Sequence, residues 1–184
     1  IGTVVIDPST GKVDPSWDLS IRNAIGGGLV SVRALDYYNG YVYMGGVFTH
    51  LSGGGSSSVY GRNAARVSLD SRPDRSWNPE FSGSTEAGAA QDTSFDFQPS
   101  TVSAGKYQQT ISTGGSRVFI GGSEHSLFGY DTQTNQRTSG SVTLSMGGDM
   151  QASTISSKGV IYASCHCSDG AYQDKYCLLY TSDA

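Results

Sequence analysis

The sequence predicts an all-β protein, and three observations support this prediction. Short runs of β-branched and aromatic residues recur along the 184-residue chain, each bounded by Gly, Asp, Asn or Ser, as strands between turns are. No stretch places apolar residues at helical spacing over three turns without an interrupting Gly or Pro. Glycine accounts for 25 residues, about twice its usual share.

The charge balance and the apolar runs of the sequence argue against nucleic-acid binding and against a membrane-spanning helix. The 16 acidic residues outnumber the 12 Lys and Arg, and no cationic cluster of the kind that neutralises phosphates is present. We therefore expect no nucleic-acid binding. No apolar run approaches the roughly 20 residues that a membrane-spanning helix needs, so we expect no membrane span.

The candidate strands follow one another at short intervals. In chain order they are residues 3–6, 30–35, 41–44, 65–69, 117–120, 142–144 and 160–163. Because both the start and the end of the sequence read as strands, we expect it to be a fragment of a longer polypeptide.

Three segments share one pattern: a turn, an alternating strand with a central aromatic residue, and then small residues. They are residues 39–46, 115–122 and 158–164. Each is preceded by another short strand and followed by a strand that runs into Asp. The whole pattern recurs about every 60 residues. This period fits stacked propeller blades better than the alternative, a sandwich, since one small sheet cannot bury both of its faces alone.

A second motif repeats beside the first one. Residues 14–18, Asp-Pro-Ser-Trp-Asp, are echoed by residues 74–78, Asp-Arg-Ser-Trp-Asn. Together with Val42 to Phe48, the segment from Asp70 to Pro79 resembles the delta-sixty-repeat family of β-propellers. A partial copy lies at residues 7–18. The later units depart from the pattern: residues 131–145 lack the Trp, and Ser164-Cys165 replaces Gly-Gly.

This resemblance implies a β-propeller or partial propeller, built from about three repeated antiparallel blades plus a partial one. We expect one domain over residues 1–184. Its expected parts are the end of one blade at 1–26, a blade at 27–81, a long loop or insert at 82–106, and blades at 107–146 and 147–184. Because known propellers have roughly four to eight blades, the rest would come from further sequence, another chain or an open arc on a partner.

Five aromatic residues are the predicted structural core. Tyr43, Phe119 and Tyr162 are expected to point between neighbouring blades, and Trp17 and Trp77 to pack at an outer turn. Each such side chain removes about 150–250 Å² from water when it is buried.

The three cysteines are Cys165, Cys167 and Cys177. A hairpin between them would bring Cys167 near Cys177, which makes this pair the candidate disulfide and leaves Cys165 over. Three free thiols are one alternative. A zinc site that includes His166 is another, although His166 would point away from its neighbours in a regular strand.

The remaining polar residues do not predict a catalytic site. Five carboxylates recur with the repeats, which favours a role in turns: Asp7, Asp14, Asp70, Asp74 and Asp131. The three histidines, His50, His125 and His166, stand at different offsets from their strands and are not expected to converge. We therefore assign no catalytic residue, no cofactor and no metal, and we expect the protein not to be an enzyme.

Two segments outside the repeats are candidates for an interaction surface. Residues 52–58 form a Gly/Ser run that predicts a flexible loop, and residues 82–106 form a long stretch with weak strand signals. A solvated excursion without a partner is the alternative for both.

The function that the resemblance implies is display and interaction. Similar repeats occur in minor tail proteins of phages that infect actinobacteria and in large bacterial surface proteins. We expect a virion tail component that helps to contact the host surface, with other structural chains and a host glycan or protein as partners. A bacterial cell-surface adhesion or scaffold module and a glycan-active propeller enzyme are the alternatives. The expected location is the virion, or the cell surface and extracellular space.

Overall fold

The computed structural model describes residues 3–24, 29–61, 63–77, 79, 107–123, 126–142, 149–166, 169–172 and 175–178. Within these ranges the chain is all-β, with no helix, and its strands form antiparallel sheets of which none is closed. The predicted fold class is thereby confirmed at this level. The described residues include no long apolar helix of the kind that crosses a membrane.

The described strands are short and are joined mainly by turns. In chain order they are β1 (Ser20–Arg22), β2 (Ser31–Tyr38), β3 (Tyr41–Val47), β4 (His50–Ser52), β5 (Val59–Tyr60), β6 (Ala64–Ser68), β7 (Gln108–Gly114), β8 (Arg117–Gly122), β9 (Ser126–Asp131), β10 (Arg137–Val142), β11 (Met150–Ile155), β12 (Ile161–Cys165), β13 (Asp169–Tyr172) and β14 (Lys175–Leu178).

These strands form four sheets. The first repeat sheet has the order β2-β3-β6, and the second repeat sheet has the order β7-β8-β9-β10-β13-β14. The third hairpin consists of β11 and β12, and a side sheet has the order β1-β4-β5. The side sheet was not predicted. It arises because the chain between β3 and β6 folds into two further strands, of which β4 pairs with β1 on one side and with β5 on the other.

The three hairpins β2–β3, β7–β8 and β11–β12 have the same register. In each of them one extra residue bulges from the first strand, opposite the small residues that end the second strand. The bulged residues are Arg33, Gln109 and Gln151. The repeats seen in the sequence are therefore repeats of structure.

Gly46 and Gly122 show why the first two hairpins end in glycine. A Cβ at Gly46 would lie 2.0 Å from the carbonyl oxygen of Ser31, and one at Gly122 would lie 2.2 Å from that of Tyr107. Both contacts are with the backbone just before the bulge, so a side chain at either position forces the two strands apart.

Three apolar cores lie between the sheets. The central core, between the first and second repeat sheets, contains Tyr43, Ala64, Trp77, Ile111, Val118, Ile120, Phe128 and Tyr130. The N-terminal core joins the first repeat sheet to the side sheet through Leu19, Ile21, Met44, Phe48, Leu51, Ala65 and Val67. The C-terminal core joins the second repeat sheet to the third hairpin through Phe119, Leu127 and Met150.

Neighbouring residues of one strand supply different cores. In β3, Tyr43 belongs to the central core and Met44 to the N-terminal core. In β8, Ile120 belongs to the central core and Phe119 to the C-terminal core. This alternation is the period of a strand with apolar contacts on both faces. The first and second repeat sheets therefore each bury side chains on both faces against neighbours.

The last unit departs from the expected blade at 147–184. Its hairpin, β11–β12, lies within those bounds, but β13 pairs with β10 and with β14. The strands after the third hairpin thus extend the second repeat sheet and do not complete a third one. The predicted final strand beyond Leu178 lies outside the described residues.

Candidate functional site

Three of the five predicted core aromatics are buried. Tyr43 and Trp77 lie in the central core, with ring centroids 5.3 Å apart and planes nearly perpendicular, and Phe119 lies in the C-terminal core. Trp17 is half-buried against the N-terminal core. For Tyr162 the prediction is wrong, since its side chain is 60% exposed. Ile161 packs on the C-terminal core, so Tyr162 points to the outer face of the third hairpin.

The recurrent carboxylates have the predicted role in turns. Most of them accept a hydrogen bond from the backbone N–H two residues on: Asp7 from Ser9 at 2.8 Å, Asp14 from Ser16 at 2.9 Å, Asp74 from Ser76 at 2.8 Å and Asp131 from Gln133 at 2.9 Å. Asp70 accepts from the hydroxyl of Ser68. Asp7, Asp14 and Asp70 are exposed, and hydrogen bonds hold the pKa of each of them, and that of Asp131, below its ordinary value.

Arg66 connects the first repeat sheet to the second. Its Nη2 lies 2.6 Å from Asp74 Oδ2, and its Nη1 donates to the carbonyl oxygen of Thr132 at 2.6 Å. Burial alone would raise the pKa of Asp74, but hydrogen bonds from Ser76 and Arg66 hold it below its ordinary value. Both side chains are largely buried, so this ion pair is a structural link between layers.

A polar cluster lies where the bulges of the three hairpins meet, and we call it the bulge edge. Its residues are Arg33, Tyr107, Gln109 and Asp149. Arg33 Nη1 donates to Gln109 Oε1 at 2.8 Å, and its guanidinium lies 4.0 Å from the centroid of the Tyr107 ring. The hydroxyl of Tyr107 donates to Asp149. The bulge edge therefore joins residues from three successive repeat units.

The chemistry of the bulge edge suits recognition of a polar ligand. It combines an exposed cation, an aromatic face, an amide and a carboxylate, which are groups that bind sugar hydroxyls or a polar protein surface. The hydrogen bond to Asp149, together with burial, raises the pKa of Tyr107 and keeps its hydroxyl protonated as a donor. Sequence reasoning missed this cluster because a bulge shifts the alternation of a strand by one residue.

The Gly/Ser run at 52–58 is anchored, contrary to the prediction of a flexible loop. The N–H of Gly54 donates to Asp18 at 2.7 Å, and its carbonyl oxygen accepts from Arg72 at 3.2 Å. Arg75 donates to the hydroxyl of Ser57 at 3.0 Å. The glycines allow the chain to pack closely here, which composition alone does not distinguish from flexibility. The second predicted segment, 82–106, lies outside the described residues.

The two described histidines lie in different surroundings. His50 in β4 contacts the ring of Tyr60 edge-on and hydrogen-bonds to Thr49 through Nδ1 at 2.9 Å. Burial, with the nearby charge of Arg22, lowers the pKa of His50. His166 follows β12, where its N–H donates to the carbonyl oxygen of Asp149. His125 lies outside the described residues.

Cys165, at the end of β12, is disulfide-bonded. The predicted pair was Cys167 with Cys177, and those two side chains lie outside the described part of the chain. The structure thus places a disulfide at the cysteine that the prediction had left over. In the described ranges, no three His, Cys, Asp or Glu side chains gather as a metal site would require.

Comparison with protein-family models, with curated proteins and with solved structures gives no match. The delta-sixty-repeat resemblance therefore stays a prediction from the quoted motifs.

Proposed function

We propose that this chain is a non-catalytic structural and interaction module of a virion tail, built as part of a β-propeller, which presents a polar edge to the host surface. The observation that supports it most is the repetition of one bulged hairpin in three successive units. A scaffold that displays residues at regular positions is the natural use of such a repeat.

The packing of the units supports a rigid scaffold. The first and second repeat sheets share the central core and are linked by Arg66, and the second sheet and third hairpin share the C-terminal core. Hydroxyl groups also join the third hairpin to the second repeat sheet, since Ser153 Oγ lies 2.6 Å from Thr110 Oγ1 and 2.7 Å from Ser112 Oγ. Neighbouring small sheets that bury each other's faces are also the arrangement that propeller blades have.

The bulge edge supports the interaction half of the proposal. Side chains from three units converge there, so the stacking of the units sets the spacing of their polar groups. A ligand that bridges units would be recognised only by the folded stack. A host glycan or a polar protein surface has the required hydrogen-bonding groups.

Two measurements test the proposal. Immunogold electron microscopy with an antibody against the purified chain is expected to label phage tails. Label on bacterial envelopes would favour the alternative of a cell-surface adhesion or scaffold module. Glycan-array binding is expected to fall at least about tenfold in Arg33→Ala, because the charged hydrogen-bond donor of the bulge edge is lost.

Arg117→Ala is the matched control for this binding test, since Arg117 is exposed and lies at the turn end of the β7–β8 hairpin, opposite the end that carries the bulge. Equal loss in both variants, or cleavage of a bound glycan by the unmodified chain, would contradict the proposal. Cleavage would favour the glycan-active enzyme.

A further inference from the structure

Residues 5–17 and residues 66–77 have similar local structures, although the turn of the first segment contains one residue more. Ile6 bridges Val13 in the first segment, as Val67 bridges Pro73 in the second. The N–H of Asp14 donates to the carbonyl oxygen of Val5 at 2.9 Å, and the N–H of Asp74 donates to that of Arg66 at 3.0 Å. Val5 and Ile6 therefore correspond to Arg66 and Val67.

The tryptophan turns extend this correspondence. Asp14 and Asp74 each accept from the serine two residues on, and the N–H of the following Trp17 or Trp77 donates back to the Asp carbonyl oxygen. The Trp17 indole also donates to Thr3 at 3.0 Å. The segment from residue 3 to Trp17 thus corresponds in position to the third strand and the tryptophan turn of a repeat unit.

The two segments differ in what they pair with. Arg66 and Val67 lie in β6, which pairs along β3. In the described residues, Val5 and Ile6 have only the bridge to Val13 and the bond to Asp14, and they are 39% and 53% exposed. An exposed apolar strand with a free edge is a site where another strand can add.

The third hairpin has the complementary gap. β3 lies between β2 and β6, and β8 lies between β7 and β9, whereas β12 pairs in the described chain with β11 alone. Tyr162 opposes Thr154 in this hairpin, as Tyr43 opposes Asp36 in the first one. Tyr43 is covered by the second repeat sheet, and Tyr162 is exposed.

We propose that residues 3–6 of a second copy of this chain add to β12 as its third, antiparallel strand. The register follows from the first repeat sheet, where Arg66 opposes Tyr43 and Val67 opposes Val42. Val5 of the second copy then lies opposite Tyr162.

In this register Ile6 of the second copy lies opposite Ile161. Trp17 of that copy contacts Tyr162, as Trp77 contacts Tyr43. The addition extends an interface that the chain already contains between its own units.

The second copy also brings the apolar surface that covers Tyr162. In the central core Tyr43 packs with Ile111, which opposes Ile120 in its hairpin. Leu35 is the corresponding residue of the first repeat sheet, and it and Tyr37 are both more than half exposed. A second copy therefore places the exposed apolar residues of its β2 against the exposed face of the third hairpin.

Reciprocal addition closes the assembly. If each copy gives its strand to the other, two copies form two identical contacts and a ring of six repeat units, within the roughly four to eight blades of propellers. The strand with a free edge and the two-stranded hairpin both belong to the described part of one chain, which is why a second copy fits better than an unrelated partner.

Cross-linking between two single variants tests this inference, which rests on the repeat geometry and not on the proposed function. Val5→Cys and Tyr162→Cys chains are mixed and oxidised, and the linked peptides are identified by mass spectrometry. We expect a disulfide between the two different variants to be the main product, because directly opposed strand residues have Cβ atoms about 4.5–5.5 Å apart. Sedimentation of the unmodified chain is expected to give twice the mass of one chain.

Val13→Cys mixed with Val160→Cys is the matched control, since both residues are exposed but stand outside the proposed register. Equal linking in the control would overturn the register. A single-chain mass together with no link between Val5→Cys and Tyr162→Cys would overturn the assembly. A chain that carries both Val5→Cys and Tyr162→Cys is oxidised separately. A link within one such chain would show that the strand adds to β12 of its own chain, and would also overturn the proposed assembly of two copies.

Discussion

Trp77 and Trp17 occupy the same position in two turns, and their surroundings differ. Trp77 is enclosed in the central core beside Tyr43, and its indole N–H is buried with no hydrogen-bond partner among the described residues. Trp17 is half-buried and donates its indole N–H to Thr3. At the residue scale, the neighbouring sheet therefore decides how much equivalent positions of two repeat units contribute to stability.

Truncation of the two tryptophans tests this difference. Trp77→Ala is expected to lower the free energy of unfolding by about 3–5 kcal/mol, as large aromatic truncations in a packed core do. Trp17→Ala is expected to cost less than half as much, because its side chain is already partly solvated. Urea unfolding followed by circular dichroism measures both, and equal losses would contradict the burial difference.

Gly46 and Gly45 offer a test of the close approach at the bulge. Gly46→Ala places a Cβ against the backbone of Ser31, which cannot move without opening the hairpin, and is expected to cost roughly 3 kcal/mol. Gly45→Ala meets the side chain of Gln108 at 3.1 Å and is expected to cost less. The same unfolding measurement applies, and a larger loss in Gly45→Ala would contradict the assigned geometry.

Asp74 is expected to make stability depend on pH. Its pKa is held below the ordinary value of 3.8 in the folded chain, so the stability it adds is present above about pH 4 and is lost as the pH falls through the folded pKa. At pH 7, Asp74→Asn is expected to lower the free energy of unfolding by about 2 kcal/mol, because a charged hydrogen-bonded pair is broken.

The gap between the unmodified chain and Asp74→Asn is expected to narrow below pH 4. Asp70→Asn is the control, since Asp70 is exposed and lies 3.7 Å from Arg72 in an exposed pair. Its effect is expected to be much smaller. A gap for Asp74→Asn that stays constant from pH 7 to pH 3 would contradict the assigned role.

At the scale of elements, the three hairpins could be predicted from the sequence and the pairing beyond them could not. Turn residues and alternating aromatics give the local strands, because these depend on neighbours in the chain. The side sheet and the pairing of β13 with β10 depend on contacts between distant segments. The bulge edge was missed for a related reason, since no residue type marks the bulges at Arg33, Gln109 and Gln151.

Phe119 and Tyr162 occupy the same position of two hairpins, but only Phe119 is covered by a neighbouring sheet. Their truncation tests whether this cover, and not the position in the repeat, sets the contribution of the side chain to stability. Phe119→Ala is expected to cost about 3–5 kcal/mol, because the third hairpin covers it. Tyr162→Ala is expected to cost under about 1 kcal/mol at a concentration where the chain is monomeric, since its ring is exposed. Thermal unfolding of the two variants measures both losses of stability. A loss in Tyr162→Ala as large as that in Phe119→Ala would contradict the difference in burial.

At the scale of the whole molecule, the chain is a stack in which neighbouring sheets bury each other's faces. This could be argued from the sequence, because a small repeated sheet with apolar residues on both faces needs neighbours on both sides. The end of the stack could not be predicted in the same way. Tyr162 has the sequence pattern of Tyr43 and Phe119, and it is exposed because β12 forms the outer layer of the described chain.

Hydrogen–deuterium exchange of Tyr43→Ala tests the stacking most directly, with Leu69→Ala, an exposed residue just after β6, as its control. Tyr43 lies in β3, but its ring packs in the central core against the second repeat sheet. The account predicts faster amide exchange in β7 and β8 as well as in β3 and β6, with little change in the control. Faster exchange confined to β3 and β6 would contradict the mutual support of the layers.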